Sequence, residues 1–285
     1  MSSIKNYFSL VKFSHTIFAL PFAVIGFFLG VRHTGFSPDW TLFIKVILCM
    51  VFARTAAMAF NRYADRKVDA KNDRTKSREI PSGTITSTSA VVLIVASILL
   101  FIATTYSINM LCFYLSPVAL IIVLGYSLTK RFTALCHFIL GLGLSLAPIG
   151  AFLAVTGEFN RLPLFFSACV LCWVSGFDII YALQDEEFDK KEKLFSIPAA
   201  FGKKNALRIS NAAHFVSAVL VVIAGVSASF GLWYWVGTGI FIALLIYQHS
   251  LVKPNDLSKV NLAFFTTNGI ASVVFAIFVL VELLK

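Results

Sequence analysis

The run VILCMVFARTAAMAFNRYADRKVD, residues 46–69, holds a single charge, Arg54, over its first fifteen positions and then five charges in its last nine. The same change recurs at YALQDEEFD, residues 181–189, after another apolar run. A helix of this kind lies in an apolar phase for most of its length and ends in water. The rest of the chain identifies that phase as a bilayer. Hydrophobic residues make up 58% of the 285, charged residues 13%, and mean hydropathy is +0.84, whereas a soluble domain is about half apolar and about a quarter charged. Residues 90–106, 110–126, 215–230 and 262–281 carry no charge at all, and each approaches the ~20 apolar residues that cross ~30 Å of hydrocarbon. The reading is an all-α integral membrane protein, one transmembrane domain over residues 1–285. Its first apolar stretch, 16–31, is followed by many more and so reads as a first span rather than a cleaved signal.

Nine transmembrane helices are expected, near 15–31, 40–60, 88–106, 109–127, 134–154, 163–183, 211–229, 231–248 and 262–282. These segments are apolar nearly all round, so periodicity does not separate helix from strand; length and the need to pair every backbone group inside lipid decide for helix. An odd number of spans puts the termini on opposite sides. Nineteen of the 24 Lys and Arg then fall on one side, against Arg32, Arg161 and Lys285 on the other, which places the N-terminus and both charged blocks in the cytoplasm, with the chain in the inner membrane. The net charge of +10 follows from Lys and Arg facing anionic headgroups. No folded soluble domain is expected that would bind nucleic acid, and no protein partner is indicated. The five cysteines all lie in apolar stretches, against a disulfide framework, and Cys169-x-x-Cys172 lacks the second pair or nearby histidine of a metal site.

Ten of the fourteen acidic residues fall in the windows 65–79 and 178–192. Asn61, Asp65 and Asp69 share one helix face at i, i+4, i+8, and Asp178, Tyr181, Asp185 and Asp189 share another with spacings of three, four and four. Like charges at such spacing destabilise a bare helix, so cations are expected between them. Asp178 lies about five residues, ~7.5 Å, inside the end of its span, a depth at which a carboxylate faces protein interior or a water-filled cavity. After each D-x-x-x-D the chain runs through basic residues to Ile80-Pro81 or Ile197-Pro198, with Gly83 or Gly202 close behind. That repetition suggests two related four-helix halves, each delivering one acidic cluster to a shared central cavity. Two carboxylate clusters flanked by cations fit a polyphosphate bridged by Mg²⁺: oxygen ligands suit that ion, and Arg66, Lys130 and Lys190 or Lys191 can neutralise the phosphate oxygens. In a cavity open to lipid, a diphosphate with a long hydrocarbon tail is the natural ligand.

These residues resemble the UbiA-type intramembrane aromatic prenyltransferases. That family's N-x-x-x-D-x-x-x-D stands here as Asn61, Asp65 and Asp69, its D-x-x-Y-x-x-x-D-x-x-x-D as Asp178, Tyr181, Asp185 and Asp189, and a Y-x-x-x-K-R run as Tyr126, Lys130 and Arg131. The resemblance covers essentially the whole chain and implies a bundle of nine helices around a central cavity. It implies Mg²⁺ held by Asn61, Asp65, Asp69, Asp185 and Asp189, with Arg66 and Lys130 on the diphosphate and Arg54 and Tyr126 also at the substrate. Loss of diphosphate would leave an allylic cation among aromatic faces, attacked by a ring carbon of a phenolic acceptor. Asp178 and Tyr181 would orient the acceptor or the reactive carbon, with Asp178 a candidate base.

Other residues keep two readings. Arg54, seven positions before Asn61, either binds an acceptor carboxylate or pairs with an acid, and Lys130 and Arg131 also suit a cytoplasmic loop on charge alone. Asp73, Arg74, Lys76 and Arg78 read as loop charge, with Arg78 in reach of phosphate. His15 and Phe18 share a face that lines the cavity or packs; His33, His137, His214 and His249 form no cluster and receive no role. The run 54–83 looks closest to bacterial quinone-pathway members, so the expected partners are a polyprenyl diphosphate and an aromatic acid, 4-hydroxybenzoate or 1,4-dihydroxy-6-naphthoate. A secondary transporter is the alternative, although its acids would favour the bilayer midplane and interrupted helices. The D-G-x-x-A-R signature of CDP-alcohol phosphotransferases is missing.

Overall fold

The computed structural model describes residues 4–11 and 18–285. A short α1 (Ile4–Leu10) precedes α2 (Leu20–Thr34), α3 (Trp40–Asp69), α4 (Ser87–Tyr106), α5 (Met110–Thr129), α6 (Cys136–Thr156) and α7 (Arg161–Ala182). A 3-10 turn (Leu183–Asp185) leads into α8 (Glu186–Lys191), followed by α9 (Ile197–Ser227), α10 (Leu232–Leu251), a π-helical turn (Leu262–Thr267) and α11 (Asn268–Leu283). Among the described residues the only β-type pairing is an isolated bridge between Lys253 and Asp256. Side-chain caps set several starts: Asp39 accepts from the amides of Thr41 and Leu42, Thr86 from Ser89, Asn109 from Cys112 and Asn160 from Leu162.

Each of the nine expected spans coincides with a helix. Among the described residues seven stretches are long and apolar enough to cross a membrane, namely α3, α4, α5, α6, Arg161–Lys191, α9 and Leu262–Leu283. The count therefore falls short of nine on that criterion: α2 has 15 described helical residues, and α10, though 20 long, is diluted by Trp, Tyr, Gln and His. Exposed apolar side chains such as Leu99, Tyr114 and Ile121 stud the outside of α4 and α5, a surface suited to lipid rather than water. At 30 residues, α3 is ~45 Å long, so its last turns, carrying Asn61 to Asp69, project beyond a ~30 Å hydrocarbon layer.

The central helix is α7, with 61% of its apolar window buried against 17% for α5. It packs on α6 and α9, and its Phe166, Trp173 and Phe177 join Phe22 of α2, Phe241 of α10 and Phe275 of α11 in the main aromatic core. Small residues permit the close approach. A Cβ at Gly141 on α6 would strike the Leu171 carbonyl and Ser175 on α7, and one at Gly26 on α2 would strike the Pro148 backbone on α6, the small-residue packing that replaces hydrophobic drive between helices in lipid. Phe18 is packed rather than cavity-lining, its ring 5.3 Å from Phe177 and 5.6 Å from Phe264. His15 lies outside the described residues.

The expected internal repeat has a backbone counterpart. Gly83 (φ 76°) and Gly202 (φ 75°) both take left-handed conformations just after a buried isoleucine, Ile80 and Ile197, that opens an Ile-Pro pair. In the second half the glycine kinks α9; in the first it ends the turn before α4.

Candidate active site

Asn61 to Asp69 form the end of α3, Lys130 caps α5, and Tyr181 to Asp189 run from the end of α7 through the 3-10 turn into α8. Ion pairs there join the loops that follow them. The Arg74 Nε donates to Asp185 Oδ1 at 3.0 Å, its Nη2 meets Asp185 Oδ2, and its Nη1 donates to the Tyr181 hydroxyl at 2.9 Å. The same guanidinium sits 5.2 Å over the Tyr181 ring, and Asn72 adds an amide donor to Asp185 at 3.3 Å. Lys130 Nζ is 2.7 Å from Oδ1 of Asp189, whose side chain is 0% exposed, and Lys71 Nζ is 2.6 Å from Glu192. In all three pairs the first half supplies the cation and the second half the acid. Within the first half, Arg78 Nη1 lies 2.8 and 2.9 Å from the two oxygens of Asp69, while Asp65 takes Asn61 Nδ2 at 3.2 Å and Arg131 Nη2 at 3.4 Å.

Burial disfavours charge on both Arg74 and Lys130, but the bonds to Asp185 and Asp189 outweigh it and raise both pKa values above their ordinary range. Both cations stay charged, and the acidic clusters are neutralised from within. The oxygens of Asn61, Asp65, Asp69, Asp185 and Asp189 are hard donors, yet among the described residues no three His, Cys, Asp or Glu side chains converge as a ready metal cage.

The structure revises several readings from the sequence. Arg74 and Arg78, read as loop charge, hold Asp185 and Asp69, whereas Arg66 donates to the Tyr63 carbonyl at 2.6 Å and stacks 4.2 Å over that ring. Lys190 bonds Glu186 one turn back at 2.6 Å. Asp73 and Lys76 do form an exposed local pair. The histidines without an expected role have partners: His137 Nδ1 is 2.7 Å from Asp178 Oδ2, His214 Nδ1 is 2.9 Å from His249 Nε2, and His33 bonds Glu158 at 2.8 Å. These partners sit on separate helices, or for Glu158 in the α6–α7 loop, and only the fold brings them together.

A cavity of about 370 Å³ opens among α2 to α6. Its wall is almost wholly apolar and small, with Ala53, Ala57, Ala119, Gly143, Ala147 and Gly150 among its residues, and it carries Arg54 and Tyr126. None of the acidic residues lines it, so the acidic clusters form a polar mouth whose residues are distinct from those of this apolar chamber. Tyr126 joins the two regions, being within electrostatic reach of Arg54, Arg62 and Asp65.

A profile of the UbiA prenyltransferase family matches residues 19–270. The chain belongs to that family. The UbiA chain is 34% identical over 248 residues to a 4-hydroxybenzoate octaprenyltransferase of Aliivibrio fischeri (strain MJ11), covering 84% of this chain and 83% of that one. An apo UbiA homolog from Aeropyrum pernix K1 superposes with a TM-score of 0.84 at 29% identity, over 94% of this chain and 98% of the other. A UbiA homolog from Archaeoglobus fulgidus bound to GPP and Mg²⁺ shares the fold, with a TM-score of 0.78 at 23% identity over 98% and 100% of the two chains. The protein is a UbiA-type prenyltransferase and a multi-pass membrane protein.

Proposed function

We propose that this UbiA protein transfers a polyprenyl chain from its diphosphate to an aromatic acid, 4-hydroxybenzoate or 1,4-dihydroxy-6-naphthoate, in ubiquinone or menaquinone synthesis. The observation that carries the reading is the pairing of a mouth rich in carboxylates and cations with an apolar chamber whose wall bears Arg54. The mouth suits a charged headgroup; the chamber, spanning residues 46 to 58 of α3 and so ~18 Å long, suits a hydrocarbon longer than any single ring. Mg²⁺ fits the all-oxygen donor set, because that ion is usually held by one or two carboxylates plus substrate phosphates rather than by a protein cage. When bound it offsets the charge that leaves with diphosphate.

The chain's own residues would divide the remaining work. Asn61, Asp65, Asp69, Asp185 and Asp189 would hold the metal. Lys130, and Arg66 by a change of rotamer, would take phosphate oxygens, together with Arg74 and Arg78 as they release their carboxylates. Arg54 would bind the acceptor's carboxylate, with Tyr126 beside it, and Asp178 and Tyr181 would face the reacting carbon and the acceptor hydroxyl. We place the protein in the inner membrane with nine crossings, the N-terminus and both acidic blocks cytoplasmic, on the asymmetry of Lys and Arg. The similarity to 4-hydroxybenzoate octaprenyltransferases supports that acceptor, and both acids share the carboxylate that Arg54 would read.

Membranes carrying the protein, given a long-chain allylic diphosphate, Mg²⁺ and each acceptor in turn, should yield a prenylated acid detectable by mass spectrometry. Product from the benzoate alone would assign ubiquinone-type synthesis, and from the naphthoate alone menaquinone synthesis. Diphosphate binding without product from either acid would overturn the acceptor class.

A further inference from the structure

The buried His137 stands at the start of α6, 3% exposed, in contact with two other elements. Its Nδ1 lies 2.7 Å from Asp178 Oδ2 on α7, and its Nε2 receives the backbone N–H of Ile197, the first residue of α9, at 3.3 Å. A backbone N–H can only donate, so Nε2 must present its lone pair. The ring proton therefore sits on Nδ1 and is donated to Asp178, which fixes the tautomer of a neutral imidazole. The Ser175 hydroxyl, one turn before Asp178 on the same helix, shares its proton between the Leu171 carbonyl at 2.7 Å and, more weakly, the His137 carbonyl at 3.2 Å.

Ile197 is itself laced to the candidate site. Phe195 N–H donates to the Lys130 carbonyl at 2.7 Å, the Cys136 thiol lies 3.5 Å from the Phe195 carbonyl, and the Lys130 side chain reaches Asp189. The α5–α6 loop and the segment before α9 thus form one stitched unit that ends at the imidazole. Asp178 lies seven residues, ~10 Å, inward of Asp185 along the helix. It therefore sits below the charged mouth, on the membrane side of Asp185. Among the described residues its bonds are made through Oδ2, which leaves Oδ1 to meet a substrate.

We infer that His137 is a positioning residue for prenyl transfer: it holds Asp178 in one rotamer, with Oδ1 aimed to accept a hydrogen bond from the hydroxyl of the aromatic acceptor. This rests on the prenyltransferase reading above. His137 touches no substrate; it acts through Asp178 and ties that carboxylate to the loops around Lys130 and Asp189.

The test compares His137→Asn and His137→Leu in membranes and in detergent. The Asn amide nitrogen falls where Nδ1 stands and keeps the donor to Asp178, whereas Leu removes it. His137→Leu should lower kcat about tenfold to a hundredfold, the effect of losing a hydrogen bond to a charged group, and raise KM for the acceptor. His137→Asn should stay within a few fold of wild type, and KM for the polyprenyl diphosphate should not change in either variant. ¹⁵N NMR of histidine-labelled protein should show one Nδ1–H, Nε2-bare ring that disappears in His137→Asn. Wild-type turnover with unaltered kinetics in a folded His137→Leu, or an Nε2–H tautomer for this ring, would overturn the inference. No product from the wild type with either acceptor would instead overturn the parent reading, and the NMR result would still decide the tautomer.

Discussion

Arg74 reaches both oxygens of Asp185, the hydroxyl of Tyr181 and the face of its ring with one planar group. A lysine has one nitrogen on a flexible stem and cannot repeat that fork. Arg74→Lys should therefore lose at least about tenfold in turnover, of the order expected for a charge-assisted bond, with little change in thermal unfolding. The carboxylates at the mouth are a sharper case: Asp65→Ala and Asp185→Ala should each abolish product formation and leave the protein folded in membranes, as read by gel filtration in detergent. Lys130→Ala strands a fully buried Asp189 carboxylate. Water reaches the lysine, whose side chain is 34% exposed, so the loss of stability should be about 1–3 kcal/mol, below the figure for a wholly buried pair. At this scale the acids were readable from their i, i+4 spacing, which is a local property of one helix. Their partners were not, because Arg74 and Asp185 stand 111 residues apart and His137 and Asp178 stand 41 apart, separations at which sequence spacing carries no geometry.

Among the elements, the two glycines after the Ile-Pro pairs offer a clean comparison. A Cβ at Gly83 or Gly202 would meet nothing within 4 Å, so alanine at either site adds backbone strain and no clash. Gly83→Ala should cost about 1–2 kcal/mol for its positive φ, and Gly202→Ala about 1–3 kcal/mol, since φ 75° with ψ 163° is a region essentially reserved for glycine, each measured as a fall in the unfolding midpoint. Gly141→Leu has the opposite character, forcing α6 away from α7, and should destabilise by about 1–3 kcal/mol or more. The long apolar helices were legible, since lipid permits little else for such a run, whereas the short α1 and α8 and the cytoplasmic start of α9 at Ile197, fourteen residues before the expected span, were not. The π-helical turn at Leu262–Thr267 was not. Its widened backbone is held by the Asn268 amide, which donates to the carbonyls of Ala263 and Phe264 at 3.0 and 2.8 Å, while its oxygen accepts from Trp173 at 2.9 Å; such a register shift depends on a helix elsewhere in the chain.

For the whole molecule, the charge asymmetry makes a topological prediction. Alkaline phosphatase fused after Ser107 or Ser229 should be active and after Ser82 inactive, since the first two lie on the side poor in Lys and Arg; the reverse pattern would invert the orientation. Membrane class and the placement of both acidic blocks at one end of the bundle followed from hydropathy and charge. The division into a polar mouth and an apolar chamber did not, because the walls of the chamber are ordinary Ala, Gly and Leu positions that five helices happen to turn toward one another. The cross-half pairs Lys71–Glu192, Arg74–Asp185 and Lys130–Asp189 also set an order for biogenesis. When Arg74 leaves the ribosome its partner is still 111 codons away, on the order of ten seconds of translation. Until then the membrane holds a half-protein in which Lys71, Arg74 and Lys130 lack the acids they pair with in the folded chain, and anionic lipid headgroups can supply the counter-charge. Anionic lipid would in this way act as a transient chaperone, giving up its hold on these loops once α7 is inserted and the turns that follow it deliver the acids.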